Sequence, residues 1–239
     1  MNQPLKGLEI ILAGGSGGLG SASARLLAQE GAKLTVSYFQ NAERAGKLAG
    51  IASVVQADLT KAGDRQRLLN CAGNLYGLVI FTGDPSRVRH ASEFEAAALR
   101  AQEVNYLGPI LLAREAAVRM QAAETRGAIV LFSTMQAVHL FPGSTAYGAA
   151  KASLQYAARI LAKECRQANI RVNVVAPGVT AAGMAEASIA SGKYDHFLSE
   201  GIIARFGHAH DIARAVRFFL EPDNYVTGQV LSVDGGATL

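Results

Sequence analysis

The residues best equipped for chemistry in this sequence are Tyr147 and Lys151, four apart in the segment Ser144 to Leu154, STAYGAAKASL. The segment reads as helix, and at that spacing both side chains share one face. Gly148, Ala149, Ala150, Ala152 and Ser153 are small, so little bulk stands between that face and whatever lies against it. Free tyrosine titrates near ~10, and a neighbouring ammonium stabilises the phenolate; the spacing therefore predicts a lowered phenol pKa and a poised general acid or base. Taken alone, a YxxxK pair is an ordinary tyrosine and lysine on an amphipathic helix. The elements around it decide between the two readings.

Those elements alternate between short β-type runs and longer helical patterns. Strands are predicted over Leu8 to Ala13, Lys33 to Tyr38, Ile51 to Ala57, Leu75 to Phe81, Gly127 to Phe132, Ile170 to Ala176 and Gln229 to Val233. Helices are predicted over Ser21 to Gln29, Ala42 to Leu48, Lys61 to Ala72, Phe94 to Ala123 (one long helix or two abutting ones), Tyr147 to about Gln167, and Asp211 to Leu220. Nearly continuous apolar strands are what a parallel sheet covered on both faces requires. The expected fold class is α/β: a doubly wound, Rossmann-type, seven-stranded parallel sheet with helices on both faces. No composition shift or proline-rich linker divides the chain, so one domain, 1–239, is expected.

Where the first strand meets the first helix the sequence reads AGGSGGLG, covering Gly14, Gly15, Ser16, Gly17, Gly18, Leu19 and Gly20. At that place a dinucleotide pyrophosphate meets backbone N–H groups and the positive end of a helix dipole. The loop fits GxGxxG at Gly15, Gly17 and Gly20, and GxxxGxG at Gly14, Gly18 and Gly20; both registers stay open. The plain alternative is a glycine-rich turn that lets helix and strand pack closely. An NAD-selective fold of this kind carries a carboxylate at the end of its second strand for the ribose 2′-hydroxyl. Tyr38 stands there instead, followed by Phe39 and Gln40; no arginine immediately follows, and Arg44 on the next helix is the nearest candidate. Without that carboxylate a 2′-phosphate is not repelled, so NADP(H) is favoured over NAD(H). Asp58, closing the third strand, either meets the adenine or caps the next helix.

Composition narrows the function classes. Half of the 239 residues are apolar and 18% charged, enough to bury a sizeable core, and the net charge of +4 comes from scattered residues rather than a basic stripe. Nucleic-acid binding therefore has little support. Cys71 and Cys165 have no CxxC spacing, which fits a reducing compartment and argues against a disulfide framework. There is no basic n-region with a cleavage site and no stretch of membrane-spanning length, so the expectation is a cytoplasmic protein with no membrane partner. His208 and His210 beside Asp211 read as a helix start rather than a metal site; no metal is expected.

With the glycine loop and YxxxK in place, the chain resembles the short-chain dehydrogenase/reductase family, in the compact branch typified by 3-oxoacyl carrier-protein reductases. Agreement extends to Asn105 in VNYLGP, FPGSTAYGAAKASL, VNVVAPG at Val172 to Gly178, RFGHAHDIA at Arg205 to Ala213, and VTGQVLSVDGG at Val226 to Gly236. The resemblance implies hydride transfer between a nicotinamide cofactor and a small carbonyl or alcohol substrate. It makes Tyr147 the general acid, and Lys151 the group that lowers its pKa and holds the ribose. It also makes Asn105 the residue that positions a water in the proton path. The family's catalytic serine falls at Thr134, with Ser133 as the alternative one residue earlier. Gly83, Pro177, Gly178, Val179 and Thr180 join the glycine loop, Tyr38, Asp58, Tyr147 and Lys151 as implied cofactor contacts, Gly178 because it lacks a Cβ.

Two departures stand out. Ala182 replaces the family's threonine after the proline, and Ile80 to Gly83 reads IFTG where the family has asparagine, asparagine, alanine, glycine. Ala181 to Ile203 lies where the family has its substrate loop and reads as a mobile lid, with His139, Leu140 and Phe141 as the facing wall. A homotetramer or homodimer is expected by analogy, packed through the long helices. The competing reading is a dinucleotide-binding regulatory protein that has lost turnover, which the IFTG and Thr134 departures would suit.

Overall fold

Runs of apolar residues form seven strands: β1 (Glu9–Ala13), β2 (Lys33–Tyr38), β3 (Ala52–Gln56), β4 (Leu75–Ile80), β5 (Ala128–Phe132), β6 (Arg171–Pro177) and β7 (Val230–Val233). The computed structural model describes residues 3–88 and 90–239. The strands lie in the order β3-β2-β1-β4-β5-β6-β7, and neighbouring strands pair in parallel throughout. β4 and β5 are buried along their whole length, which is why their sequences, LYGLVI and AIVLF, show no alternation; β3 and β7 at the edges are only partly buried.

The helices are α1 (Gly18–Gln29), α2 (Ala42–Gly46), α3 (Ala62–Leu69), α4 (Phe94–Gln102), α5 (Gly108–Ala122), α6 (Thr145–Cys165), α7 (Glu186–Ala190), α8 (His196–Ser199) and α9 (Ala209–Leu220). α1 packs on α9 over one face of the sheet, around a core that includes Leu12, Leu27, Val36, Val130, Val216 and Phe219. α3, α5 and α6 cover the other face through Leu68, Leu112, Ala116, Leu154 and Leu161. Two hydrophobic layers thus clamp one sheet. The chain reverses direction across the sheet between β1 and β4, and the carboxyl ends of the strands at that reversal form the crevice where such folds hold ligands.

One boundary differs from expectation for a physical reason, and one open alternative is decided. α1 begins at Gly18, not Ser21, because the glycines that read as loop supply its first turn. The stretch from Phe94 is two helices joined by a π-helical turn, Glu103–Leu107. Asn105 sits in that turn, and Gly108 follows because a Cβ there would lie 3.0 Å from the Leu59 carbonyl oxygen.

Candidate active site

The glycine loop is shaped by close backbone approaches. Gly14 adopts φ +69°, and its N–H donates to Ser37 Oγ at 2.9 Å, tying the loop to β2. A Cβ on Gly20 would lie 2.5 Å from Gly15 Cα, and one on Gly18 would lie 2.7 Å from the Gly183 nitrogen. At Gly17 the nearest atom would be 3.8 Å away. Gly14, Gly18 and Gly20 are therefore glycine of necessity and Gly17 is not, so the GxxxGxG register describes the constraints better. Ser16 is buried and Leu19 partly so. Gly17 caps α1 without a side-chain hydrogen bond, leaving the first N–H groups of a twelve-residue helix turned toward the crevice.

At the reacting end, β5 delivers Ser133 and Thr134, and α6 delivers Tyr147 and Lys151. Ser133 Oγ donates to the Lys151 carbonyl at 3.3 Å and accepts from Gln155 Nε2 at 2.8 Å, so it serves the packing of β5 on α6. The Thr134 hydroxyl, one residue on, is hydrogen-bonded to the Tyr147 phenol and accepts from Gln136 N at 3.3 Å. Of the two candidates, Thr134 is the hydroxyl beside the phenol.

The expected lowering of the Tyr147 pKa is corrected. Burial pushes the phenol up to about 12; the Thr134 hydrogen bond pulls it back in part, and the Tyr194 phenol pushes it further up. Lys151 does not hold it down, because its Nζ donates to the Thr82 carbonyl at 3.0 Å and the Phe132 carbonyl at 2.8 Å, bridging the ends of β4 and β5. Burial lowers Lys151 itself to about 7.

After β4 comes the IFTG departure. Phe81 lies against Phe132 with ring centroids 4.4 Å apart, so it joins the core beneath the site. Thr82 Oγ1 is buried and has no hydrogen-bond partner among the described residues, while the Thr82 Cγ2 methyl is what a Cβ on Gly14 would meet at 2.9 Å. A Cβ on Gly83 would sit 3.4 Å from Asn105 Oδ1, 3.6 Å from Met184 Cε and 3.7 Å from Lys151 Nζ, which puts Gly83 in the midst of the site. The Asn105 side chain is tied to the loop after β4: Oδ1 accepts from Asp84 N at 2.8 Å and Nδ2 donates to Asp84 O at 2.9 Å.

Three further site residues are tied into the fold. Gly178 is glycine because a Cβ would lie 2.6 Å from Asp234 Cα; its N–H donates to Val233 O at 3.0 Å. Packing onto the segment after β7 by itself requires glycine here. Thr180 is buried, its backbone bridges Gly207, and its hydroxyl donates to Gly178 O at 3.1 Å, so that hydroxyl is turned into the turn. Pro177 ends β6 and Val179 is buried beside them. Asp58 does not cap α3: Lys61 holds that position, and Asp58 Oδ1 accepts from Thr60 N at 3.0 Å and Thr60 Oγ1 at 2.8 Å. At the edge, Tyr38 is half-buried at the end of β2 and Arg44 is exposed on α2.

Between Ala181 and Ile203 the lid folds into α7 and α8, with Phe197 and Ile203 buried against Met135 and Val179. His208 caps α9, its N–H donating to Asp211 Oδ2 at 2.8 Å, and the Arg205 and Arg214 guanidiniums hold Asp211 well below the usual carboxylate range. Sequence reading gave no individual role to Ser37, Thr82 or Tyr194, although each lay in or beside a stretch it singled out: Tyr38, IFTG and the substrate loop.

These residues fit a dinucleotide: a backbone cradle that side chains would fill, a helix N-terminus above it, and no carboxylate at the end of β2. Residues 13–238 match the family profile described as enoyl-(acyl carrier protein) reductase. The chain is 36% identical over 238 residues to a 3-oxoacyl-[acyl-carrier-protein] reductase of Bos taurus, covering 95% of this chain and 96% of the relative. A solved short chain dehydrogenase/reductase family protein is 32% identical with a TM-score of 0.88, covering 100% and 99% of the two chains. Similar structures include ElxO with NADP bound (25% identity, TM-score 0.85, 97% and 98% covered) and a 7 alpha-hydroxysteroid dehydrogenase complexed with NADH (28%, 0.88, 98% and 96%).

Proposed function

The chain belongs to the short-chain dehydrogenase/reductase family and is an oxidoreductase of that family; from this premise we propose that it interconverts a carbonyl compound and its alcohol with NADP(H), Tyr147 moving the proton. The observation that carries the reading is the meeting of the Thr134–Tyr147 pair with the buried Lys151 at the strand ends, beside the glycine cradle. The nicotinamide cofactor, when bound, supplies or accepts the hydride. Gly14 to Gly20 and the start of α1 hold its pyrophosphate, with Gly83, Pro177 and Val179 lining the path to the reacting end. Thr134 and Tyr147 grip the substrate oxygen. A phenol raised to about 12 is fully protonated at neutral pH, which suits it to donating a proton in the reduction direction. Lys151, poised near 7 and hydrogen-bonded to two carbonyls, can pass a proton on at little cost.

The NADP preference rests on Tyr38 in place of a carboxylate, with Arg44, exposed on α2, as the nearest arginine after it. Structural relatives carrying NADP and NADH both support a nicotinamide cofactor. Calorimetric titration tests it: NADPH binding tighter than NADH is expected, and equal or reversed affinity overturns the preference. The regulatory reading loses ground because Phe81 is absorbed by the core; NADPH binding with no oxidation across ketones, quinones and 3-oxoacyl thioesters would restore it.

Assembly into a homodimer or homotetramer is supported by the apolar side chains that α4, α5 and α6 leave exposed: Leu99, Val118, Tyr156 and Ile160. A 25.0 kDa monomer in light scattering at micromolar concentration would remove that reading. Two free cysteines fit the cytoplasm, and no helix among the described residues is long and apolar enough to cross a membrane.

A further inference from the structure

The two halves of the lid are seated by different means. The α8 half rests on apolar packing, with Phe197 and Ile203 buried among Met135 and Val179, whereas Ile189 of α7 is only partly buried against that cluster. The α7 half also meets a polar contact from across the crevice. Ser188, buried on α7, accepts a hydrogen bond at 3.4 Å from the guanidinium of Arg87, an exposed residue of the loop after β4. Other charged groups of the lid are occupied within it: Glu186 accepts from Gly183 N at 2.8 Å, and the Lys193 ammonium lies 5.6 Å from the centre of the Tyr194 ring.

The origin of Arg87 is fixed by Asp84, the residue that follows IFTG. Asp84 Oδ1 accepts from Ser86 N at 2.6 Å and from Ser86 Oγ at 3.1 Å. These bonds hold Ser86, whose side chain is buried, at φ +46°, a left-handed conformation that residues with a Cβ seldom adopt. Arg87 leaves directly from that turn. The second carboxylate oxygen, Oδ2, accepts from Arg100 Nε of α4 at 3.1 Å, while the Asp84 backbone carries both hydrogen bonds to the Asn105 amide. One residue thus engages α4, the π-helical turn and the turn from which Arg87 reaches the lid.

We propose that Asp84 is a positioning residue: through Ser86 and Arg87 it sets where the α7 half of the lid sits, and it ties that placement to the Asn105 turn. Its bearing on substrate rests on the carbonyl chemistry proposed above; its hold on the lid does not. A single long hydrogen bond from Arg87 suits an element that must open to admit substrate, and the two-oxygen anchorage of Asp84 gives that bond a fixed starting point. Asp84 acts on the lid only through Arg87, so removing either residue should release the same segment.

Hydrogen–deuterium exchange of the intact chain tests this without any substrate, comparing peptides from 183–190 with peptides from α6 in the wild type, Asp84→Ala, Arg87→Ala and the double variant. Exchange in 183–190 should speed about threefold or more in each single variant while α6 keeps its protection, and the double variant should be no faster than Asp84→Ala alone. Asp84→Asn keeps an oxygen for Ser86 N and should stay near the wild type. If Asp84→Ala does not fold, Arg87→Ala, at an exposed position, still decides. Unchanged lid exchange in Arg87→Ala, equal acceleration of lid and α6, or additive effects in the double variant overturn the inference. On a ketone that the wild type reduces, Arg87→Ala should raise KM about threefold or more with NADPH affinity within about twofold; loss of NADPH affinity at unchanged KM overturns the link to substrate. Lid release as expected, with no ketone reduced by any form, leaves the positioning role standing and removes the carbonyl chemistry.

Discussion

The segment after β1 and the segments after β5 and β6 meet at the same edge of the sheet but are specified differently. In the first, side chains are excluded: at Gly20 and Gly18 a single Cβ would come within 2.5 and 2.7 Å of backbone, and the working groups are peptide N–H. In the second, side chains do the work, and their surroundings hold and tune them: Thr134 acts on Tyr147, burial lowers Lys151, and the Thr82 and Phe132 carbonyls fix its amine in place. The lesson is that the binding half is tied to stability, because its shape is the packing of the fold, whereas the reacting half can lose chemistry without losing structure.

The largest expected effect probes that contrast directly. Tyr147→Phe should lower kcat by about 100- to 10,000-fold while NADPH affinity and melting temperature stay near wild type; near-normal turnover on a verified substrate would show that the phenol is not the proton donor. Tyr38→Asp should weaken NADPH by about tenfold, or about 1.4 kcal/mol, by setting a carboxylate where a 2′-phosphate would lie, and calorimetry against NADH reads it. Unchanged selectivity would take the end of β2 out of cofactor choice.

Within the cradle the contrast sharpens between neighbours. Gly20→Ala should cost about 1–3 kcal/mol of stability, since Gly15 must shift, while Gly17→Ala should stay within about 0.5 kcal/mol. Equal losses in urea denaturation would contradict the close-approach account.

The smallest effect is in pH. The Lys151 pKa in the fold, about 7, lies below its unfolded value near 10.5. Between those values the unfolded chain binds the extra proton, so folding gains stability as pH rises. Relative to Lys151→Met, the wild type should therefore become more stable from about pH 7 to about pH 10, whatever the offset from the two carbonyls left unpaired. A pH-independent difference would mean that the ammonium stays charged in the fold.

Much of the sheet was legible because buried parallel strands are apolar runs: Lys33–Tyr38 matches the reading residue for residue, and the others differ by one or two. The glycine loop and the Tyr147–Lys151 pair were legible as local patterns. What was not legible depends on distant partners. Asn105 breaks its helix into a π turn through bonds to Asp84, 21 residues away. Gly178 answers to Asp234, and the amine of Lys151 to strand ends 69 and 19 positions earlier. No window along the chain contains both members of such pairs.

The contact between Gly178 and Asp234 also sets an order of events in time. A ribosome releases the chain from its amino end, at roughly 5–20 residues per second. The glycine cradle, Tyr147 and Lys151 are all outside the ribosome before β7 exists. Yet the end of β6 is braced by Val233 O and by Asp234, and Ala237 packs on the cluster that seats the lid. The end of β6 and the seat of the lid are thus closed only by residues synthesised 55 to 59 positions after Gly178.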